Sequence, residues 1–256
     1  HGHRIVREQV ERDGSGHVAR HGPDLALAKD HAFIGVALML GPDGSLYASD
    51  WHDPQTCHHR DYEIWDRTDG RIFRVRYGDH EARPINLPAA TDLELVQALR
   101  DANAFIARQA QRILQERAAD GSLDTKKAAK ALRELASPTQ PRTIRLRSMW
   151  TQQVCGILGQ EELYSYLKDS DSFVRGWAVH FLTEAESELA PDVLNTLVDL
   201  AKEDSSADTR RYLSAALQRI PHEQRWSLAE ALASRPEDIK DHNLPLMVWY
   251  GVEPLV

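Results

Sequence analysis

Apolar positions change their spacing near residue 90, and the change divides the chain in two. Before it, apolar segments are short and separated by Gly, Pro, Asp and His; after it, long stretches rich in Ala, Leu, Glu, Arg and Gln carry helical spacing. In the first part Arg4 to Val10 alternates weakly, and the run Phe33 to Leu40 predicts a buried-type strand. Gly41-Pro42-Asp43-Gly44 stops it, because Pro presets φ and Gly accepts a positive φ. Ser45 to Trp51 returns as a second strand, so the two make a hairpin. A third strand, Arg71 to Tyr77, sets Phe73, Val75 and Tyr77 on one face and Ile72, Arg74 and Arg76 on the other, and the polar stretch Asp53 to Gly70 between reads as a loop. Such strands amount to about one propeller blade. A lone sheet of this size needs a neighbour to cover its apolar face.

The second part repeats internally. Leu99-Arg-Asp-Ala-Asn-Ala-Phe-Ile-Ala-Arg-Gln-Ala110 aligns with Leu167-Lys-Asp-Ser-Asp-Ser-Phe-Val-Arg-Gly-Trp-Ala178 at an offset of 68, or two units of about 34, the period of two-helix repeats. A looser copy runs from Lys202 through Thr209-Arg210-Arg211 to Leu217, and the copy around Pro141 to Thr151 is degenerate. Each unit predicts a short helix, a polar turn and a second helix. First helices fall at 92–100, 124–136, 160–168, 191–203 and 222–234, and their partners at 103–118, 142–157, 172–185, 207–220 and 244–250. Asn103 and Asp171, with Ser206 or Asp208 in the third copy, suit the N-cap. Pro191 and Pro221 sit at or just before helix starts, where Pro is tolerated. One pair cannot bury its stripe alone, so neighbours must stack. The expected fold is α+β: a propeller-blade-like antiparallel segment over 1–90, then an α-solenoid of HEAT-like helix pairs over 91–256.

Composition narrows the function classes. With 256 residues, 42% hydrophobic and 27% charged, the chain has the make-up of one large or two modest globular domains. Its net charge of −8 disfavours nucleic acid, whose affinity rests on cation–phosphate contacts. The longest apolar run, Phe33 to Leu40, is too short to span a bilayer, and no signal peptide is visible. The chain starts at His1 without an initiator Met, which fits a processed protein or an excerpt of a longer one. Two widely separated cysteines, Cys57 and Cys155, make neither a disulfide framework nor a zinc ribbon, although one pairing is open to an exported protein.

The stretch Gly41-Pro42-Asp43-Gly44-Ser45-Leu46-Tyr47-Ala48-Ser49-Asp50-Trp51-His52-Asp53, followed by Gly70-Arg71-Ile72-Phe73-Arg74-Val75, resembles the closing propeller blade of planctomycete-type membrane-bound dehydrogenase-like proteins, also called PVC-type haem-binding CxxCH proteins. His242-Asn243-Leu244-Pro245-Leu246-Met247-Val248-Trp249-Tyr250 is similar to part of their helical region. Those proteins place HEAT repeats after the propeller and then a cytochrome c-like domain. The resemblance implies a middle slice of an exported, periplasmic protein that oxidises a sugar or alcohol and passes electrons to haem. Haem itself is not carried over to this chain, because covalent attachment needs C-x-x-C-H and Cys57-His58-His59 is not that motif.

Three clusters carry candidate chemistry. Asp50, His52, Asp53, Cys57, His58 and His59 are the densest set of ligand types, and Asp50, His52, Asp53 and His58 would be the ligands of a divalent cation. The competing reading has the carboxylates closing the turn through backbone hydrogen bonds and the histidines solvated. Arg108, Arg175, Arg210 and Arg211 recur near the starts of second helices. They form either a basic ridge that reads a carboxylate or phosphate, or pairs with Asp residues of neighbouring turns such as Asp101 and Asp169. Trp150, Trp177, Trp226 and Trp249 read as core or groove fillers, while an exposed cluster would mark a binding patch. No nucleophile elbow, P-loop, dinucleotide fingerprint or zincin helix is present. The leading expectation is thus a non-catalytic scaffold or docking portion whose partners are proteins or sister domains. A free-standing interaction module with a β cap is the alternative, and a metal-dependent enzyme centred on Asp50 to His59 the third.

Overall fold

The computed structural model describes residues 3–54, 69–78, 85–184 and 188–256. Among these, strands β1 (Arg4–Ile5), β2 (Glu8–Asp13), β3 (Gly16–His21), β4 (Ala26–Leu27), β5 (Gly35–Leu40), β6 (Leu46–Asp50) and β7 (Arg71–Val75) precede the helices. The helices are α1 (Asp92–Ala98), α2 (Ala104–Asp120), α3 (Thr125–Ala136), α4 (Arg142–Val154), α5 (Gln160–Tyr166), α6 (Ser172–Leu182), α7 (Pro191–Glu203), α8 (Ala207–Ala216), α9 (His222–Ala233) and α10 (Leu244–Val252). The chain is α+β, as its pattern predicts. It divides into two compact units, residues 1–10 with 19–124, and residues 11–18 with 125–256.

In the first unit β5, β6 and β7 form an antiparallel meander, with Leu40 opposite Leu46 and Asp50 opposite Arg71. The predicted turn closes the β5–β6 hairpin: Gly44 adopts φ +75°, the Gly41 N–H donates to the Ser45 carbonyl at 2.9 Å, and Asp43 accepts from the Ser45 N–H at 3.1 Å. One expectation fails. The strand read as buried, β5, is exposed along its whole length, with Leu38 at 55% and Met39 at 61%. The small core lies under the other strands and consists of Ile5, Phe33 and Ala48, backed by Ala26 and Val75, with the Phe33 and Phe73 rings meeting edge-on at 5.8 Å.

The same unit holds the first helix pair. Thr91 caps α1 through a capping box with Glu94, and Asn103 caps α2 by accepting the Phe105 N–H at 2.9 Å. Gly121 ends α2 in the left-handed conformation at φ +79°. Arg117 on α2 ties back to Asp92 at 2.6 Å and to the Ala90 carbonyl at 2.8 Å. Asn103 Nδ2 also donates to the Gly41 carbonyl at 2.8 Å, so one side chain serves both the helix cap and the hairpin turn.

In the second unit helices pair as α3 with α4 and α5 with α6, and even-numbered helices adjoin in a row, α4 on α6, α6 on α8 and α8 on α10. Helices α7 and α9 pack together as well. Leu163, Leu167, Leu197, Leu213, Leu217 and Leu228 fill the core. Two glycines permit the close crossings of the row: a Cβ on Gly176 would lie 2.3 Å from the Tyr212 ring, and one on Gly251 would lie 2.5 Å from Leu217 Cβ. The tip of the β2–β3 hairpin belongs here too, an arrangement the sequence reading did not anticipate. Ser15 donates its N–H and its hydroxyl to Asp241, both at 2.7 Å, and Arg12 pairs with the fully buried Asp208 at 2.6 Å. Gly14 turns the hairpin at φ +53°, and a side chain there would strike Asp241. Among the described residues no helix is long and apolar enough to cross a membrane.

Candidate functional site

The candidate cation ligands gather around an arginine. Asp50 Oδ1 accepts the N–H groups of Ile34 and His52 at 2.8 and 2.9 Å, and Oδ2 accepts Arg71 Nη2 at 2.8 Å and Nε at 3.1 Å. Asp30 accepts the same guanidinium at 2.9 Å, and the His52 ring nitrogen Nδ1 also contacts it. Burial works to raise the Asp50 carboxyl, and the bonds from Ile34, Arg71 and His52 outweigh it and hold it below the usual range. Arg71 itself is driven up by Asp30 and Asp50. The permanent cation of the cluster is therefore Arg71, and both oxygens of Asp50 are engaged. Asp53 is buried apart from this set: its N–H donates to the Ala32 carbonyl at 2.8 Å and its Oδ2 accepts Trp51 Nε1 at 3.3 Å. His58, with Cys57 and His59, lies outside the described residues. Among the described residues no group of three or more His, Cys, Asp or Glu side chains is arranged to hold a metal ion.

The arginine series splits by register. Arg175 on α6 grips Asp204 through Nε and Nη2 at 2.6 and 2.8 Å and donates Nη1 to the Asp169 carbonyl at 2.7 Å. Arg210 on α8 grips Asp238 in the same way at 2.5 Å and donates to the Asp204 carbonyl at 2.7 Å. Arg145 on the degenerate α4 forms the preceding rung, paired with Asp169 and with the Ala136 carbonyl. Each turn Asp also accepts the N–H two residues on: Asp101 from Asn103, Asp169 from Asp171, Asp204 from Ser206 and Asp241 from Asn243, at 2.7 to 2.9 Å. Burial would raise Asp204, yet Arg175 and the Ser206 N–H keep its carboxyl lowered. Arg175 and Arg210 thus belong to an internal ladder and not to a ligand-facing ridge. The sequence carried the signal for it in a six-residue Asp-to-Arg spacing, Asp169 to Arg175 and Asp204 to Arg210. Arg108 is out of that register, since Ala107 stands six residues after Asp101; it lies exposed on α2.

Arg211, one residue past the ladder, has a different fate. It lines a hollow of about 290 Å³ with His180, Tyr212, Ala215, Arg219, Asn243 and Met247. Its guanidinium stacks over the Tyr212 ring at 5.3 Å, and its Nε is buried with no hydrogen-bond partner. Arg219 donates to His180 Nδ1 at 2.7 Å. Burial first, and Arg219 second, push the His180 ring below its ordinary range against the pull of Glu184, so near neutrality the ring is uncharged and its proton sits on Nε2. Trp177 forms the aromatic flank, 5.2 Å from Trp150, 5.4 Å from Phe181 and 6.0 Å from Tyr212. Trp226 and Trp249, expected as fillers, instead leave about half their surface exposed, at 53% and 50%. Cys155 carries a free thiol, raised by burial to about 11 and hence protonated at neutral pH.

No protein-family model matches this sequence, and none of the curated proteins is significantly similar to it.

Proposed function

We propose that this chain is a scaffold and docking portion, without a reacting centre of its own, of a larger exported dehydrogenase-like protein. In it the β5–β6–β7 sheet closes a propeller and the helices form a HEAT-like solenoid. The observation that carries the reading is the exposure of β5: Val36, Leu38, Met39 and Leu40 stand in solvent on an edge strand. An apolar edge of this kind invites pairing or aggregation unless another element covers it, and the neighbouring blade of a propeller is such a cover. The turn Asp residues at 169, 204 and 241 recur 35 and 37 residues apart, and the arginine pairs of Asp169, Asp204 and the neighbouring Asp238 support the repeat reading. The engagement of Asp50 with Arg71 argues against the metal-dependent enzyme.

A second reading, a free-standing interaction module with a β cap, draws support from Asn103, which joins the hairpin turn to the first helix pair. The coding sequence on either side of this chain separates the two. Further blades upstream and a C-x-x-C-H motif downstream are expected. A start codon directly before His1 would overturn the propeller reading and leave the module.

A further inference from the structure

We propose that the hollow between α6, α8 and α10 binds an acidic peptide segment of a partner protein, Arg211 and Arg219 taking two of its carboxylates while Tyr212 and Met247 receive an apolar side chain between them. The proposal gives the scaffold a ligand class and rests on that reading only for the idea that the helices dock something.

Most other arginines of the unit are compensated by a carboxylate, and Arg225 is satisfied by the carbonyls of Ile220 and Gly251. Arg142 has Asp171 at 2.5 Å, Arg175 has Asp204, Arg210 has Asp238, Arg235 has Glu237 at 2.6 Å, and Arg12 has Asp208. Arg211 and Arg219 meet no carboxylate among the described residues, in a chain whose net charge is −8. Two acids stand nearby without pairing with either arginine: Glu184 accepts from Gln153 at 2.8 Å, and Asp208 holds Arg12 through Oδ2 while its buried Oδ1 meets no donor. The buried, unpartnered N–H of Arg211 lacks an acceptor, which a bound carboxylate supplies in the two-pronged geometry a guanidinium favours.

Backbone spacing and the apolar part of the lining together favour a peptide over a small anion. Arg211 and Ala215 lie one turn apart on α8, and Arg219 lies in the turn just past its end, so the backbones of the two arginines stand roughly 12 Å apart with a small residue as floor. An extended chain advances about 3.3 Å per residue, so carboxylates four residues apart span roughly 13 Å and match. Nucleic acid is disfavoured because two arginines neutralise too few phosphates to outweigh the overall negative charge. The Tyr212 ring, backed by Trp177 at 6.0 Å, and the adaptable thioether of Met247 suit an apolar residue placed between the acids.

The test titrates the whole chain with a synthetic peptide containing Glu-Ala-Phe-Ala-Glu, with its Lys-Ala-Phe-Ala-Lys counterpart, and with a short single-stranded oligonucleotide, reading calorimetry and tryptophan fluorescence. The acidic peptide is expected to bind, the basic one not, and binding should weaken as salt rises. Arg211→Gln and Arg219→Gln should each weaken it at least about tenfold, the loss of one charged hydrogen-bonding partner. Arg108→Gln should leave it unchanged. Equal binding of both peptides, preference for the oligonucleotide, or indifference to Arg211→Gln overturns the proposal. Should Arg219→Gln unfold through loss of its bond to His180, Arg211→Gln and the salt titration of the unaltered chain decide. Failure here leaves the scaffold reading standing, because that reading is judged on the flanking coding sequence.

Discussion

The helices of the second unit and the sheet of the first answer the same two demands, burying apolar surface and satisfying polar groups, by different means. Among the helices, leucines such as Leu197, Leu213 and Leu228 are fully buried, and each successive turn presents an Asp that an arginine from the preceding helix pair clasps. The pattern closes on itself by repetition, so every rung has its partner within the chain. The sheet has one small core around Ile5, Phe33 and Ala48, and its polar end depends on the single cation Arg71. Its longest apolar strand, β5, lies in solvent. One region carries its cover with it; the other leaves an apolar edge strand in solvent.

Removing a rung is the strongest way to break this contrast. Arg210 is 3% exposed and serves Asp238 and the Asp204 carbonyl together. Arg210→Met keeps the apolar stem but leaves the Asp238 carboxylate without its donor, and the Asp204 carbonyl keeps only Arg235 at 3.1 Å. A loss of about 3–5 kcal/mol is expected, the scale for breaking a buried pair by deleting one partner. Urea denaturation followed by far-ultraviolet circular dichroism measures it, and a loss below about 1 kcal/mol would show the ladder to be ornamental.

Close helix crossings come next. Gly251→Ala places a methyl 2.5 Å from Leu217 Cβ, an atom fixed to the backbone at the C-cap of α8, so the helices must part. A cost of about 1–3 kcal/mol is expected from overpacking. Alanine is also the better helix former by about 1 kcal/mol. The sign therefore tests the packing: a raised melting temperature in Gly251→Ala would contradict the close approach of α10 to α8. Gly176→Ala should cost less, because the atoms it meets belong to the half-buried Tyr212 ring, which can swing.

Much of this architecture was legible in the sequence, and the failures share one physical cause. Helix positions and the caps at Asn103 and Asp171 follow from periodicity and local hydrogen bonding, both confined to a few residues of chain. In the third copy Ser206 holds the cap position without a side-chain bond, while Asp208 turns to Arg12. The β2–β3 hairpin escaped notice because its strands are polar and almost wholly exposed, and its fixing partner, Asp241, lies 226 residues from Ser15. Asp50 and His52 look like ligands until Arg71, 21 residues from Asp50, is brought alongside. Arg210 and Arg211 are neighbours with opposite fates, one inside the ladder and one facing the hollow, and only the rotation of α8 separates them. An apolar run such as Phe33 to Leu40 reports that its residues avoid water, but says nothing about which molecule covers them.

The smallest effect is the most telling for the sheet. Leu38→Thr replaces an apolar side chain that is 55% exposed with one that retains strand preference. If the chain by itself leaves β5 uncovered, the change should lie within about 0.5 kcal/mol, as for other surface substitutions. Light scattering should meanwhile fall at high protein concentration, since an apolar edge promotes association. A cost of about 2–5 kcal/mol, the range for truncating a buried leucine, would mean that the chain covers its own strand. In a longer product bearing further blades, the same substitution should become costly, because Leu38 would then lose burial and not exposure. The difference between the two measurements would be the free energy that a neighbouring blade, as proposed, contributes at this position.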